Sequence, residues 1–230
     1  MPQGIPAAKG ELVFEATLEL SEVHDLGETQ YGQRRQLDIK GGTLKGSKIN
    51  ATVLNGGLDY ELTLANGALE IEQINLLRTD DGALIFFRSC GTSPTTSSPV
   101  RMVPDIEAPN NGKYAFLNTG RFVGTRELDT TALTMKLIVY AADEPAASAP
   151  KIMIDNPSGV PDQTWDCKKA SGQRGATVYT ESVGIGSSLM VGASKRGTRN
   201  VIPITGGTTT GRIEGVCLPP AQPTSDGRHM

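Results

Sequence analysis

The chain has 230 residues, of which 37% are hydrophobic, and it carries 27 glycines and a formal net charge of −3. Counting the glycines as apolar brings the apolar fraction to about half, which is typical of a globular protein with an adequate core. The small negative charge and the absence of any Lys/Arg run longer than two residues argue against the basic stripe of a nucleic-acid groove.

The cysteines and histidines argue against most metal and cofactor chemistry. Cys90, Cys167 and Cys217 are far apart and form no C-x-x-C pair. His24 and His229 are the only histidines, so neither a histidine metal site nor a Ser-His-Asp triad is expected. No phosphate-binding glycine motif is present, and no leader or membrane-spanning run is recognised. We therefore expect a cytoplasmic protein with no metal, cofactor, membrane or nucleic-acid partner.

Apolar and polar residues alternate with a period of two along most of the chain, which predicts many short β-strands. The predicted strands include residues 12–20, 37–39, 49–53, 59–64, 69–73, 83–87, 113–117, 121–125 and 133–140. Turn dipeptides such as Gly41-Gly42, Asn66-Gly67 and Asp81-Gly82 separate them, and no amphipathic helix is recognised. This pattern favours an all-β fold, either an antiparallel β-barrel or a sandwich. We prefer the barrel, because closure removes exposed strand edges.

Two segments interrupt the alternation. Residues 93–99 are small and polar, and we interpret them as a flexible connection or, alternatively, as a lid at the mouth of the barrel. Residues 141–150 contain two prolines among small residues and read as a linker. The predicted organisation is a complete barrel over 10–141, a linker and irregular segment over 142–174, and a further β unit over 175–218.

That further unit is a partial repeat of the beginning of the chain. Residues 175–211 align with 10–46 at a constant offset of 165, with ten of the 37 positions identical, and Arg34 recurs as Arg199. We expect three strands in the copy, over 177–185, 198–204 and 212–218. Three strands cannot close a barrel and are marginal alone. We therefore expect the copy to pack on the first barrel or to pair with the same unit of a second chain in a homodimer.

Five sequence pieces in the first barrel suggest a family. They are Gly32-x-Arg34, Gly41-Gly42, Gly56-Gly57-Leu58-Asp59-Tyr60, the run Arg78-Thr79-Asp80-Asp81-Gly82-Ala83-Leu84-Ile85, and Tyr114-Ala115-Phe116-Leu117-Asn118. In this order they make residues 10–141 resemble the proteins grouped as domain of unknown function 3237. The resemblance implies an antiparallel β-barrel with a pocket, and it implies no particular reaction.

Three residues are candidates for catalysis. Arg34 is one because a buried guanidinium needs a carboxylate or an anionic ligand, although a salt bridge to a neighbouring strand explains it equally well. Asp59 alternates with Tyr60 and points into the barrel if Tyr60 packs outside, where it could act as a general base. A turn aspartate bonded to nearby amides is the alternative. Asp81 belongs to a hairpin turn and could lean over the barrel mouth.

Tyr60, Arg88 and Tyr114 are the candidates for ligand binding, although packing or surface roles explain Arg88 and Tyr114 as well. Two function classes remain. The first is a cofactor-independent enzyme that performs acid–base isomerisation, cyclisation or elimination on a small organic molecule. The second is a non-catalytic barrel that binds a small ligand or serves as a structural partner.

Overall fold

The computed structural model describes residues 10–97, 99–142 and 176–217. The first part of the chain consists of nine strands and one helical turn, α1 (Phe116–Thr119), which lies between β7 and β8. The strands are β1 (Leu12–Thr29), β2 (Gly32–Lys45), β3 (Asn50–Val53), β4 (Gly57–Thr63), β5 (Leu69–Thr79), β6 (Leu84–Ser93), β7 (Val100–Glu107), β8 (Phe122–Asp129) and β9 (Thr134–Ala141).

These nine strands form one closed antiparallel sheet. From β1 the order runs through β9, β8, β7, β6 and β5 to β3 and β4, which both pair with β2, and β2 pairs back with β1. Because β3 and β4 lie in succession between β2 and β5, the nine segments fill eight strand positions. The predicted all-β antiparallel barrel is confirmed.

Alternate residues of each strand fill the barrel. The largest hydrophobic cluster includes Phe14, Leu18, Leu37, Phe87 and Met102. A second and smaller cluster consists of Leu69, Ile71 and Val100, at the end of the barrel where β4 connects to β5 and β6 to β7. The interior positions between the two clusters carry polar side chains.

The glycine pair Gly41-Gly42 is not the hairpin turn that the sequence suggested. Strand β2 continues through both residues, and the connection to the next strand lies at 46–49. The glycines are required for a different reason, since a Cβ on Gly42 would lie 2.3 Å from the carbonyl oxygen of Thr17 on β1. They therefore allow two strands of the barrel to approach closely, and β2 continues past them to Lys45 before the separate strand β3.

The strand expected over 113–117 is also wrong. Successive short backbone hydrogen bonds, from Gly112 to Pro109, from Ala115 to Gly112 and from Leu117 to Tyr114, coil this segment into turns that lead into α1. Leu117 is fully buried, so the apolar residues that suggested a strand serve instead to anchor this connection to the core.

The second part of the chain reproduces the first hairpin residue for residue. Its strands are β10 (Tyr179–Ile185), β11 (Leu189–Ser194), β12 (Gly197–Val201), β13 (Ile204–Gly211) and β14 (Gly215–Cys217). Leu18 pairs with Gly42 in β1–β2, and Val183 pairs with Gly207 at the same offset of 165. The irregularity before Gly27 (φ +73°) recurs before Gly192 (φ +96°).

The copy thus contains five strands where we expected three. The reason is the length of the original hairpin, in which β1 pairs with β2 up to Thr29, ten residues past its last pair with β9 at Glu19. In the copy the corresponding segment is divided at 186–188 and 202–203 into a three-stranded sheet, β10-β13-β14, and a separate hairpin, β11-β12.

The β11-β12 hairpin packs against the outer face of the barrel. Val191 joins Leu76 and Phe86 in a third hydrophobic cluster. Arg199 donates hydrogen bonds of 2.9 and 2.5 Å to the two carboxylate oxygens of Glu107, and Ser194 Oγ lies 2.5 Å from the same carboxylate. Lys195 and Arg196 of the turn both pair with Asp105. Polar and apolar contacts therefore attach the copy to strands β5, β6 and β7.

The three-stranded sheet of the copy has no such cover among the described residues. Every residue of β10 is exposed, and Ile185 is 65% exposed although its counterpart Leu20 is 2% exposed in the barrel. The segment predicted to link the two units, 142–174, lies outside the described residues except for Ala142. Of the helices described, none is long and apolar enough to span a bilayer.

Candidate functional site

A row of buried polar side chains crosses three neighbouring strands inside the barrel. Asp59 of β4 pairs with Gln73 of β5, which pairs with Ser89 of β6, and each is fully buried. Asp59 also pairs with Leu37 of β2, which belongs to the barrel core. Since paired residues of an antiparallel sheet share a face, the whole row points into the barrel.

An arginine from the other side of the barrel meets this row. Arg126 of β8 is itself buried and donates through one terminal nitrogen to Asp59 Oδ1 at 3.0 Å and to Glu61 Oε1 at 2.7 Å. Arg35, which is partly exposed, pairs with the second oxygen of Glu61. Gln73 donates to the sulfur of Met135 at 2.9 Å. Two carboxylates and two guanidinium groups thus form one linked network that balances charge inside the barrel.

The network leaves several polar atoms without a partner. Asp59 Oδ2, Gln73 Oε1, Ser89 Oγ and Arg126 Nε, here called the open polar atoms, are buried and have no hydrogen-bond partner within the described chain. A buried polar atom left in this state costs roughly 1–3 kcal/mol. Proteins normally satisfy such atoms with water or a ligand. The open polar atoms are therefore the positions at which water or a polar ligand would complete the network.

The charge state of Asp59 is set mainly by its burial. Removal from water raises its pKa to about 7, against the opposing attraction of Arg126, while the negative charge of Glu61 adds to the increase. A carboxyl group with this pKa exchanges its proton near neutral pH, which is the property that a general acid or base requires. The location of this group inside a barrel gives it a protected environment for such a step.

The network lies nearer to one end of the barrel. The β4–β5, β6–β7 and β8–β9 connections are all at this end, as is the turn between β1 and β2. Glu61 and Arg126 are each directly opposite a residue of the small cluster of Leu69, Ile71 and Val100. That cluster and the connections beyond it separate the network from solvent, and the partly exposed Arg35 is its contact with the surface.

Of the three residues predicted to be catalytic, the structure places only Asp59 in this network. Arg34 alternates with Arg35 on β2 and pairs with Leu62 on the outer face, where it contributes to the electrostatic environment of Tyr60. The expectation that Arg34 and Asp59 share the barrel interior is therefore wrong. The sequence analysis selected Arg34, whereas the adjacent Arg35 is the arginine that contacts the network. Successive residues of a strand point to opposite faces, so an error of one residue places the side chain on the wrong face.

Asp81 and Tyr114 are neighbours, but at the opposite end of the barrel. Tyr114 donates its hydroxyl to Asp81 Oδ1 at 2.8 Å, and Thr79 and Lys113 also bind this carboxylate at 2.6 and 3.0 Å. The hydrogen bonds from Thr79 and then Tyr114 lower the pKa of Asp81. Thr79 lies six residues beyond Gln73 on β5, a separation of about 20 Å along the strand. Asp81 therefore belongs to the turn and is too far from Asp59 to contact the interior network.

Tyr60 and Arg88 lie on the outside of the barrel. Tyr60 alternates with Asp59 and borders a cleft between the barrel and the copy, and desolvation raises its pKa. Arg88 is opposite Ile74 and Asp105, also on the outer face, so neither side chain contacts the interior network.

Five polar residues of the interior were missed by the sequence analysis, namely Arg35, Glu61, Gln73, Ser89 and Arg126. Glu61 shares the parity of Asp59 and could have been included on that ground alone. Gln73 was assigned to a strand without a role, and Ser89 and Arg126 follow predicted strands by one or two residues. Their convergence depends on closure of the barrel, which brings β8 opposite β4. Among the described residues, no group of three or more His, Cys, Asp or Glu side chains is arranged to hold a metal ion.

Comparison with known proteins places the barrel in a family. Residues 8–142 match the profile of a family described as protein of unknown function, DUF3237. The chain belongs to this family. The profile covers the complete barrel and ends before the copy, as the resemblance in the sequence implied.

Two relatives illustrate the similarity. A protein of Rhodopseudomonas palustris named UPF0311 protein RPA1785 is 34% identical over 152 residues, which are 65% of this chain and 95% of the relative. Its crystal structure, described as a conserved protein of unknown function, superposes on 60% of this chain and 99% of its own with a TM-score of 0.51 and 27% identity. A β-barrel-like protein of Acinetobacter baumannii superposes on 60% of this chain and 98% of its own, with a TM-score of 0.51 and 25% identity.

Proposed function

We propose that the barrel is a cofactor-independent enzyme that moves a proton on a small organic molecule held beside Asp59. The observation that carries this proposal is the set of open polar atoms, which surround a carboxyl group whose pKa is raised to about 7. A purely structural ion network gains stability when every member is satisfied. Here the atoms left open include the second oxygen of the carboxylate itself.

Each member of the network has a role in the proposed reaction. Asp59 Oδ2 removes a proton from the substrate and returns it at another atom, so protons balance and no oxidant is needed. Arg126, with its Nε still open, is placed to donate a hydrogen bond to an oxygen on which negative charge develops. Gln73 and Ser89 orient polar groups of the substrate. Isomerisation, cyclisation and elimination all fit this scheme.

The test combines a binding screen with a search for turnover. A library of small organic molecules is screened by the increase each causes in melting temperature. Each molecule that binds is then incubated with the wild-type protein, with Asp59→Asn and with Arg34→Gln as an outer-face control. We expect a product, separated by chromatography because isomers have equal mass, from the wild type and from Arg34→Gln. If Asp59 acts as the base, the rate rises as the pH increases through about 7.

Asp59→Asn should bind the same molecules and form product at least 100-fold more slowly. Equal turnover by this variant would contradict the assignment of the base. The alternative is a barrel that binds a small ligand without converting it, for which the same open polar atoms would supply the contacts. Binding to both proteins with no conversion by either would establish that alternative and overturn the enzyme proposal.

A further inference from the structure

A cleft of about 700 Å³ lies between the outer face of the barrel and the copy. Its floor consists mainly of barrel residues such as Ile74, Leu76 and Phe86, and its roof includes Leu189, Val201 and Ile202 of the copy. Sites for small molecules commonly measure about 300–1,000 Å³ and are mostly apolar. This cleft, here called the roof cleft, has the size and the lining of such a site, and it exists only because the copy covers the barrel.

The barrel wall bulges beneath the roof cleft. Strand β3 ends at Val53 and β4 begins at Gly57, and the three residues between them form a bulge whose amides at 54 and 56 remain bonded to β5 and β2. Asn75 lines the cleft beside this bulge, although it is opposite the interior residue Phe87. The bulge therefore brings one interior polar residue to a largely apolar surface.

Asn75 is unsatisfied at this position. Its Oδ1 is buried, has no hydrogen-bond partner among residues that the structure describes, and belongs to a side chain that is 2% exposed. Gly57, which also lines the cleft, accommodates it, because a Cβ there would lie 2.2 Å from Asn75 Oδ1. A buried acceptor of this kind is satisfied by a ligand that donates a hydrogen bond.

The charges of the lining select the type of ligand. The described lining residues include no lysine or arginine, and Asp38 accepts a hydrogen bond of 2.9 Å from Gln36 and lies 3.2 Å from His24 Nε2. An anion would meet the Asp38 carboxylate without a countercharge of its own, so it is disfavoured. The half-buried ring of Tyr60 provides an aromatic surface against which a flat molecule can stack, whereas Arg199 already lies over the ring of Phe86.

We propose that the roof cleft binds a neutral, largely aromatic small molecule that donates one hydrogen bond to Asn75. The roof cleft is distinct from the interior network, and binding of a ligand to it does not depend on the proposed enzyme activity. The relatives described above are covered over 95% or more of their length by at most 152 residues of this chain. They are too short to contain the barrel together with the copy, so the roof cleft is an addition to the family barrel.

The test uses the fluorescent probe N-phenyl-1-naphthylamine, which is neutral, aromatic and carries one N–H donor. The full-length wild-type protein should bind it at one site, and Asn75→Leu should bind it about fivefold more weakly because one hydrogen bond is lost. The N-methylated probe, which has no donor, should bind equally to both proteins. Equal affinity of wild type and Asn75→Leu for the N–H probe would overturn the role of Asn75.

A second experiment tests whether the probe binds in the roof cleft, by filling the cleft with a larger side chain. Ile202→Trp places an indole in the roof cleft and should weaken probe binding at least tenfold. Ile213→Trp, an exposed position of the copy outside the cleft lining, is the matched control and should change affinity less than twofold. Melting curves establish that both variants are folded. If Ile202→Trp binds the probe as tightly as wild type, or if no saturable binding occurs, the proposed site is wrong.

Discussion

Asp59 is a fully buried carboxyl group whose environment opposes its ionisation more strongly than its arginine partner supports it. Burial raises its pKa to about 7, against an unfolded-state value near 4. The folded protein therefore binds a proton at this site over a range in which the unfolded chain has released it. As pH rises through this range, the stability contributed by the protonated group is lost.

This difference predicts a pH-dependent effect of Asp59→Asn. The amide cannot ionise, so the unfolding free energy of the variant should improve relative to wild type as pH rises from about 4 to about 7. The limiting slope is about 1.4 kcal/mol per pH unit for one proton. Urea unfolding of both proteins at several pH values measures it. A constant difference across this range would show that Asp59 ionises normally in the fold.

Substitution of Arg126 and of Arg34 compares the contribution of a buried arginine to stability with that of an arginine on the outer face. Arg126→Gln leaves Asp59 and Glu61 buried without their shared cation, and such a loss costs roughly 3–5 kcal/mol. Arg34→Gln changes a residue on the outer face and should cost less than about 1 kcal/mol. Chemical unfolding at pH 8 compares them. Similar losses for the two variants would mean that Arg126 contributes no more than a surface arginine.

The sequence predicted that Asp59 and Tyr60 face opposite sides of β4, but it left open which side is interior, and the pairing of Asp59 with Leu37 places Asp59 inside. The sequence was also not sufficient to distinguish Arg34 from Arg35. The recurrence of Arg34 as Arg199 was real, but it reflected contact outside the barrel, since Arg199 binds Glu107 on the outer face. Repetition of a residue indicated that its position is reused, and it did not indicate that the position faces the interior.

At the scale of the elements, Glu107 is the most buried carboxylate among the contacts that attach the β11-β12 hairpin. Burial alone would raise the pKa of Glu107, but hydrogen bonds from Arg199 and Ser194 outweigh this effect and lower it. The guanidinium of Arg199 also lies over the ring of Phe86, with its central carbon 4.1 Å from the ring centroid. A single arginine therefore makes an ionic contact and a cation–π contact with the barrel.

We expect Glu107→Gln to loosen this hairpin without unfolding the barrel. The Asn110 amide donates to Ala193 O at 2.8 Å across the contact, and its hydrogen-exchange protection reports attachment. Losing a buried ion pair predicts about a 100-fold fall in that protection. The Leu20 amide, bonded to Leu133 O within the barrel, is the internal control, and Glu127→Gln is the control substitution. Unchanged protection of Asn110 would show that apolar packing alone holds the hairpin.

For the elements, the sequence correctly predicted which residues of the two hairpins correspond, but it predicted the ends of the strands poorly. Its offset of 165 is reproduced by the pairing of both hairpins. The division of the copy into a sheet and a separate hairpin was missed, because glycine pairs were interpreted as turns. In an extended strand, glycine can equally indicate a close approach of backbones, and only the paired strand distinguishes the two uses.

For the whole molecule, the three-stranded sheet of the copy is the largest apolar face left open by the described residues. Val183, Ile185 and Ile204 correspond to Leu18, Leu20 and Ile39, which are buried in the barrel, yet all three are at least 41% exposed. Burying one such side chain contributes about 1.5–3 kcal/mol. We propose that two chains associate through this face in a symmetric dimer, in which the same surface contributes twice.

The dimer is tested by light scattering of the full chain. Wild type should show twice the chain mass at micromolar concentration, and Ile185→Asp should show the mass of one chain. Thr180→Asp, on the opposite face of the same strand, is the control and should remain dimeric. A monomeric wild type would refute the proposal, as would a dimer that Ile185→Asp leaves intact.

Because the first hairpin is duplicated, the chain contains two hairpins of the same register, and the barrel has a place for one of them. We infer that the copy can compete for this place during folding until Leu12 pairs with Tyr140 and β1 closes on β9. The copy differs at the positions that would enter the core, where Glu181 replaces the buried Ala16 and Thr209 replaces Leu44. Burying the Glu181 carboxylate without a partner costs several kcal/mol. Glu181 therefore disfavours insertion of the copy in place of the first hairpin, in the same chain or in a neighbouring one.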